Sequence, residues 1–554
     1  MGLFKTKPLS LLLSEAEDSE KGLKKTLSAR SLVALGIGAI IGAGLFSITG
    51  LAAAHHAGPS ITISFIIAAV GCAFAGLCYA EFSSMIPIAG SAYTYSFATM
   101  GEFIAWIIGW DLVLEYAVGA ATVSISWSRY LVKFLEYYNI HINPSFTTSP
   151  SEGGIMNIPA VFIVMLMSLI LMRGTKESSF VNGIIVMIKV SIVLIFIALG
   201  WQYINPENLT PYIPENTGNF GEFGFSGIIR SAAIVFFAYI GFDAVSTAAQ
   251  EAKNPGRDMP IGILLSLAIC TILYILFAHV MTGVANYQLF GGVDGIAPVA
   301  IAIDNMGQPG PDGTIVPDFP WLNKAIILAI LGGYASVILV MLMGQSRVFF
   351  SMSRDGLVPK MFSEVHKKFR TPARNNFMFM LLVSVFAAFV PANVVGEMTS
   401  IGTLFAFILV CIGVIILRKN QPDAPRAFKT PLVPLVPILG VLTCLFMMIF
   451  LPLDTWIRLI AWMMVGFDLY LFYGMRHSHL NKEGFSNRSF KTVSYTGMAM
   501  VVLLLIVAFL YNRSEGTLGE GSSTGLYYFS IAFALIHVVV YALGAKQKNK
   551  ISNT

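Results

Sequence analysis

The run from Leu35 to Phe46 (LGIGAIIGAGLF) places Gly36, Gly38, Gly42 and Gly44 within nine residues of an uncharged stretch. Inside a continuous helix each glycine costs about 1 kcal/mol relative to alanine. In a chain broken near Gly42 the same residues leave the backbone open to close approach. A half-helix starting at Gly42-Ala43-Gly44 would aim unpaired N–H groups and its positive dipole end at an anion, so a carboxylate could bind without a cationic side chain. Close helix packing through small residues is the other reading of this spacing.

A second interruption answers the first. In Phe236-Phe237-Ala238-Tyr239-Ile240-Gly241-Phe242-Asp243 a glycine breaks an apolar segment and an acid follows two residues later. Unwinding there would turn the carbonyls of residues 236–240 toward an ammonium group. A ligand carrying both a carboxylate and an ammonium, an amino acid, fits the pair. Lys189 lies deep in the apolar run Ile184 to Ile192, where an ammonium needs carbonyls or an acid to receive it. It is a candidate proton carrier, or else a fixed cation standing where a metal ion would bind between helices. Glu115, in GWDLVLEY, is the main intramembrane acid and could share the proton route or serve packing. Asp243 could cap the second half of its segment. Glu251, Lys253, Arg257 and Asp258 are expected to form a salt-bridged cytoplasmic gate.

These residues must be held by membrane-spanning elements. The 554 residues are 56% hydrophobic and 12% charged, half the charge of an ordinary soluble domain, and mean hydropathy is +0.74. Apolar segments long enough for a bilayer recur at about 32–54, 60–86, 101–128, 157–172, 180–201, 227–250, 261–284, 324–346, 376–391, 400–417, 434–453, 455–473, 493–511 and 526–544. This is the pattern of an all-α polytopic membrane protein with about fourteen spans. It excludes a nucleic-acid binder, a disulfide-stapled secreted domain and a soluble dehydrogenase, and the net charge of +5 bears on topology alone. Lysines and arginines concentrate before residue 31, at 173–176, 253–257, 347–374, 418–429 and 476–491, and after 545. The positive-inside rule then puts both termini in the cytoplasm. Pro87 to Tyr93, without a basic residue, is expected to be a tightly packed or re-entrant turn.

Five spans separate the two interruptions, so the second element crosses in the opposite direction to the first, the trace of an inverted five-helix repeat. The expected division is a cytoplasmic segment 1–30, a first repeat 31–201, an outer loop 202–226, an inverted repeat 227–417, two further spans in 418–475, and two more with a cytoplasmic tail in 476–554. The five cysteines show no CxxC pairing and read as packing residues. No histidine pair has metal-ligand spacing, and no Walker A motif or G-x-S-x-G elbow occurs. Neither a cofactor nor an enzyme reaction is expected.

The segments GIGAIIGAGLF (36–46), AEFSSMIPIAGSAYTY (80–95), GWDLVLEY (109–116), FFAYIGFDAVSTAAQE (236–251), GQSRVFFSMSRDGLVP (344–359) and SIGTLFAF (400–407) resemble the amino acid–polyamine–organocation superfamily. The likeness is closest to its cationic amino acid transporter family and that family's bacterial relatives. It spans nearly all of the first twelve spans, and the fourteen-span count is like that of the animal members. The resemblance implies a LeuT-type fold in the cell membrane, alternating access, and proton-coupled rather than sodium-driven uptake of an L-amino acid, with a small membrane subunit as a conceivable partner. It also implies Ile40, Gly42, Ala43 and Gly44 as contacts to the substrate backbone, Phe236, Ala238 and Ile240 to its amino group, and Lys189 at the place of a sodium ion. Ala43 departs from the threonine common in bacterial relatives. Met341-Leu342-Met343 is expected at the side-chain pocket and brings no acid, so a cationic substrate does not follow from the family name.

Overall fold

The computed structural model describes residues 2–12, 27–88, 90–173, 179–291, 297–310, 315–367, 369, 371–481, 484–515 and 523–546. Of the residues used above, Lys21, Lys24, Lys25, Ala89, Lys176, Lys368, Arg370, Lys482, Lys548 and Lys550 lie outside these.

The first helix, α1 (Ala29–Ile40), is capped by the Ser28 hydroxyl, which accepts from the Ser31 amide. It stops because Ile41 turns to extended geometry (φ −71°, ψ 104°), and helical structure resumes as α2, residues 44–57, which opens on a wide turn at Gly44–Ile48. Next come α3 (Ile61–Met85), the short α4 (Ser91–Thr99) and α5 (Glu102–Glu136), whose regular winding loosens at Leu114–Val118. Two apolar helices, α6 (Ile158–Arg173) and α7 (Ser179–Gly200), complete this part.

Across residues 202–223 the chain reaches α8 (Gly224–Val235), which tightens over Phe236–Tyr239, breaks, and resumes as the single turn α9 (Ala244–Thr247). The break is a glycine property: Gly241 has φ +119°, where side chains are strained. Beyond it run α10 (Pro255–Val284), α11 (Pro298–Asp304) and a small hairpin pairing β1 (Gly307–Pro309) antiparallel with β2 (Ile315–Pro317). The long α12 (Pro320–Arg354), α13 (Ala373–Phe389), α14 (Ala392–Asn420), α15 (Leu435–Phe450) and α16 (Leu453–Leu469) follow, and α17 (Asn487–Glu515) and α18 (Ser523–Ala545) close the chain.

Among the described residues ten helical stretches are long and apolar enough to cross a bilayer, Ala29–Met85 being counted as one, and α6, α13 and α15 are shorter apolar helices. The protein is therefore a multi-pass membrane protein. Helices α5 and the α8–α9 stretch lie at its centre, with 89% of their most apolar windows buried, whereas α18 has 22% buried and turns Leu535, Ile536 and Val539 outward. Outer helices can expose such faces because hydrocarbon solvates them as well as a protein core does.

In the turn before α4, Pro87 and Ile88 are half-buried and Gly90 is buried, Ala89 lying outside the described residues, and the residues of α4 are all buried. The five cysteines are buried and unpaired. Glu81, at the inner end of α3, is fully buried and receives Arg418 through two nitrogens (3.0 and 2.7 Å), Arg426 at 3.2 Å and the Thr430 amide at 2.8 Å. Several donors on one carboxylate make burial of that charge tolerable. The start of the chain is also part of the fold, since the Phe103 amide donates to Leu3 O and Lys7 reaches Asp355 at 2.9 Å.

Candidate functional site

The two breaks sit against each other. A Cβ built on Gly44 would lie 2.2 Å from Ala238 Cα, and one built on Gly241 would lie 2.8 Å from the Ala39 carbonyl carbon. Each break thus places a glycine on the other's backbone, and small-residue packing and helix breakage, weighed as alternatives from sequence, occur together. The amides of Gly42, Ala43 and Gly44 have no acceptor among the described residues, while the first amides to close the next turn, Leu45 and Phe46, both donate to Gly42 O at 3.2 Å. Those three donors open a half-helix with its positive end toward the break, an arrangement suited to a carboxylate.

On the facing side, Ile240 is extended (ψ 134°), and Asp243 Oδ1 accepts the Gly241 amide at 3.1 Å, so Asp243 braces the break. Its other oxygen takes the Tyr116 hydroxyl at 2.5 Å. The Tyr274 hydroxyl of α10, which the sequence reading missed, lies 2.8 Å from Ile40 O and 2.9 Å from Ala238 O, so its one proton is shared between the two interruptions. Ala238, expected at the substrate ammonium, has its carbonyl within reach of that hydroxyl in this conformation. Tyr239 O and Ile240 O take no hydrogen bond from any described group. Phe236 packs edge-on against Phe407 of α14, ring centroids 5.4 Å apart.

Lys189 of α7 is 2% exposed and donates to Gly38 O (2.8 Å) and Ile41 O (3.2 Å), the carbonyls released where α1 ends. Its methylene stem runs along Gly333 of α12, where an added Cβ would come within 2.8 Å of Cε. Carbonyls therefore receive the ammonium, much as they would a sodium ion. Glu115 is fully buried in the loosened turn of α5, and its carboxyl faces that of Asp243.

Met341, expected at the side-chain pocket, has its sulfur 3.1 Å from a Cβ built on Gly119, and Val337, one turn earlier on α12, lies on Gly42 with Cγ2 3.2 Å from a built Cβ. A one-turn offset is invisible in a helix that is apolar on every side. The expected gate of Glu251 with Lys253, Arg257 and Asp258 is not formed: Glu251 pairs with Arg347 of α12 (3.1 Å), which also donates to Thr247 O at 3.3 Å. Residues close in sequence turn away from each other once α10 begins, and the cation comes from another helix.

A cavity of about 970 Å³, reached from the face bearing His55, His56 and Glu222, descends to Ser47, Ile48 and Ile234, one turn beyond the breaks. On the opposite face Arg347–Glu251 and the Lys7–Asp355–Tyr93 set close the way, with Tyr93 donating to Asp355 at 2.7 Å.

The chain matches the family model described as amino acid permease over residues 27–468. It is 44% identical over 484 residues to the branched-chain amino acid permease BcaP of Bacillus subtilis (strain 168), covering 87% of this chain and 99% of that protein. It is 43% identical over 482 residues to a methylthioribose transporter of the same organism, with the same coverage. With the cationic amino acid transporter 4 of Homo sapiens it shares 32% identity over 418 residues, 74% of this chain and 63% of the human protein. These relatives are named permeases and transporters, not enzymes. A multi-pass protein with two opposed backbone breaks at its centre, matched by one permease model over most of its length, belongs to the amino acid permease family and is a transporter rather than an enzyme.

Proposed function

We propose that the chain is a secondary active transporter of neutral, apolar L-amino acids in the cell membrane, coupled to protons and indifferent to sodium, working by alternating access. The observation that carries this is the set of three acceptor-free amides at Gly42, Ala43 and Gly44 in one break, packed through Gly44 and Ala238 against a second break where Tyr239 O and Ile240 O accept no hydrogen bond among the described residues. Substrate carboxylate goes to the first set and ammonium to the second, with Val337 and Phe236 at the side chain. Apolar lining favours neutral substrates because an unpaired guanidinium buried there would be costly, and the branched-chain relative at 44% identity agrees. The cavity on one face and the ion-paired closure on the other suit one end of an alternating cycle.

Two breaks on opposed elements fit the inverted repeats of a LeuT-type fold. Counting Ala29–Met85 as two passes, and the three short apolar helices as passes, brings the number to fourteen with both termini on one side. Lys189 is the proposed coupling group, with Glu115 as the nearest alternative carrier. The specific case for a second reading, an exchanger or facilitative carrier without strict proton coupling, is that two carbonyls hold Lys189 as a fixed cation.

Proteoliposomes decide between them. Labelled amino acid is expected to counterflow against an unlabelled load, to accumulate under an inward proton gradient without sodium, and to leak back on addition of a protonophore. Counterflow without gradient-driven accumulation would establish the exchanger, and absence of counterflow would remove the carrier reading. In a competition panel alanine, leucine and valine are expected to outcompete arginine.

A further inference from the structure

A groove of about 1010 Å³ lies at the start of α10, on the face that the basic-residue pattern assigns to the cytoplasm and well away from the two breaks. Its floor is apolar: Ile261, Leu264, Leu265 and Ala268 recur at helical spacing on α10, and Phe428 closes the far wall. The stripe does not end with the groove. Ile272 and Leu276 continue it down the same face, 60% and 36% exposed, so Ile261 to Ile272 forms a track about 16 Å long facing the hydrocarbon.

The mouth is of opposite character. Lys253 and Arg257 line it, both exposed, and their side chains make no ion pair or hydrogen bond among the described residues. Of the two acids that flank these cations in sequence, Asp258 is buried and accepts the Asn254 amide at 3.2 Å, and Glu251 is paired with Arg347. Close approach shapes the groove, because Gly256 leaves so little room that an added Cβ would meet Ala427 Cβ at 2.6 Å.

We propose that this groove binds an anionic glycerophospholipid of the cytoplasmic leaflet, its phosphate held between Lys253 and Arg257 and one acyl chain laid along Ile261, Leu265, Ala268 and Ile272. Two exposed cations, without an ion pair among the described residues, above an apolar track match the two ends of such a molecule. A zwitterionic lipid would satisfy the track and bring a choline into the cations. A free anion would satisfy the cations and leave the track unused. The site ties the position of α10, which carries Tyr274 to both breaks, to the composition of the membrane.

The test is native mass spectrometry of the full-length protein, given phosphatidylglycerol or phosphatidylcholine of one acyl length. Phosphatidylglycerol is expected to be retained about tenfold better, and Lys253→Glu/Arg257→Glu to erase the difference. Ala268→Trp, which fills the track without touching charge, is expected to lower phosphatidylglycerol retention, and Leu265→Gln serves the same arm should the tryptophan variant not fold. Unchanged preference in the double charge variant would overturn the proposal. So would displacement of the lipid by millimolar inorganic phosphate together with full retention in the track variants, since that would mark a site for a free anion.

Discussion

At the scale of single residues, the centre of this transporter works through what glycine lacks. Gly44 and Gly241 let two broken helices touch backbone to backbone, and the amides left without an acceptor beside that contact are the proposed substrate site. Overpacking costs about 1–3 kcal/mol in a well-filled core, and a contact at 2.2 Å with a main-chain atom belongs at the upper end. Gly44→Val is therefore expected to insert normally yet lose at least about tenfold in uptake, measured in proteoliposomes beside its yield in size-exclusion chromatography. Transport at the parental rate would show that the 42–44 amides do not hold the substrate. Lys189 offers a different test, because its ammonium both satisfies Gly38 O and Ile41 O and is the proposed proton carrier. Lys189→Ala is expected to abolish accumulation under a proton gradient while substrate still binds, as followed by ligand-induced thermal stabilisation. A variant that still concentrates substrate would move the coupling role to Glu115.

Among the elements, α12 carries the proposed side-chain pocket. It brings Val337 onto Gly42, lays Gly333 along the lysine stem, and turns Met341 toward Gly119 of α5. Side chains four apart share a face but lie about 6 Å apart along the axis, so which of them meets the substrate decides selectivity. Val337→Ala is expected to improve competition by leucine and phenylalanine several-fold over alanine, and Met341→Ala to change the ranking less. The reverse order in the competition panel would return the pocket to Met341. The same helix carries Arg347, two turns before its end, which closes on Glu251, so the proposed pocket and this ion pair are carried on one helix.

For the whole molecule, the two faces differ in how they are sealed. One admits a cavity down to Ser47, and the other is shut by pairs drawn from far-apart parts of the chain: Lys7 with Asp355, and Glu251 with Arg347. An ion pair with both side chains about a quarter exposed is worth at most about 1 kcal/mol, enough to shift a two-state population roughly fivefold. Glu251→Gln is expected to raise labelling of a cysteine introduced at Thr247 by about that factor, with substrate counterflow retained. Equal labelling would mean that the remaining contacts alone hold this face closed.

The sequence by itself determined the class of the molecule and the location of its two backbone breaks. Charge-poor runs can only be solvated by lipid, and glycines spaced through LGIGAIIGAGLF and before Asp243 are legible because backbone freedom is a local property of residue type. Lys189 was legible for a related reason, since a lone ammonium in an apolar run must find carbonyls. The tertiary structure alone decided who faces whom: that Tyr274 bridges Ile40 and Ala238, that Val337 meets Gly42, and that Glu251 takes its cation from α12. These depend on the rotation and offset of helices that are apolar on all sides, where no hydrophobic stripe records which face turns inward.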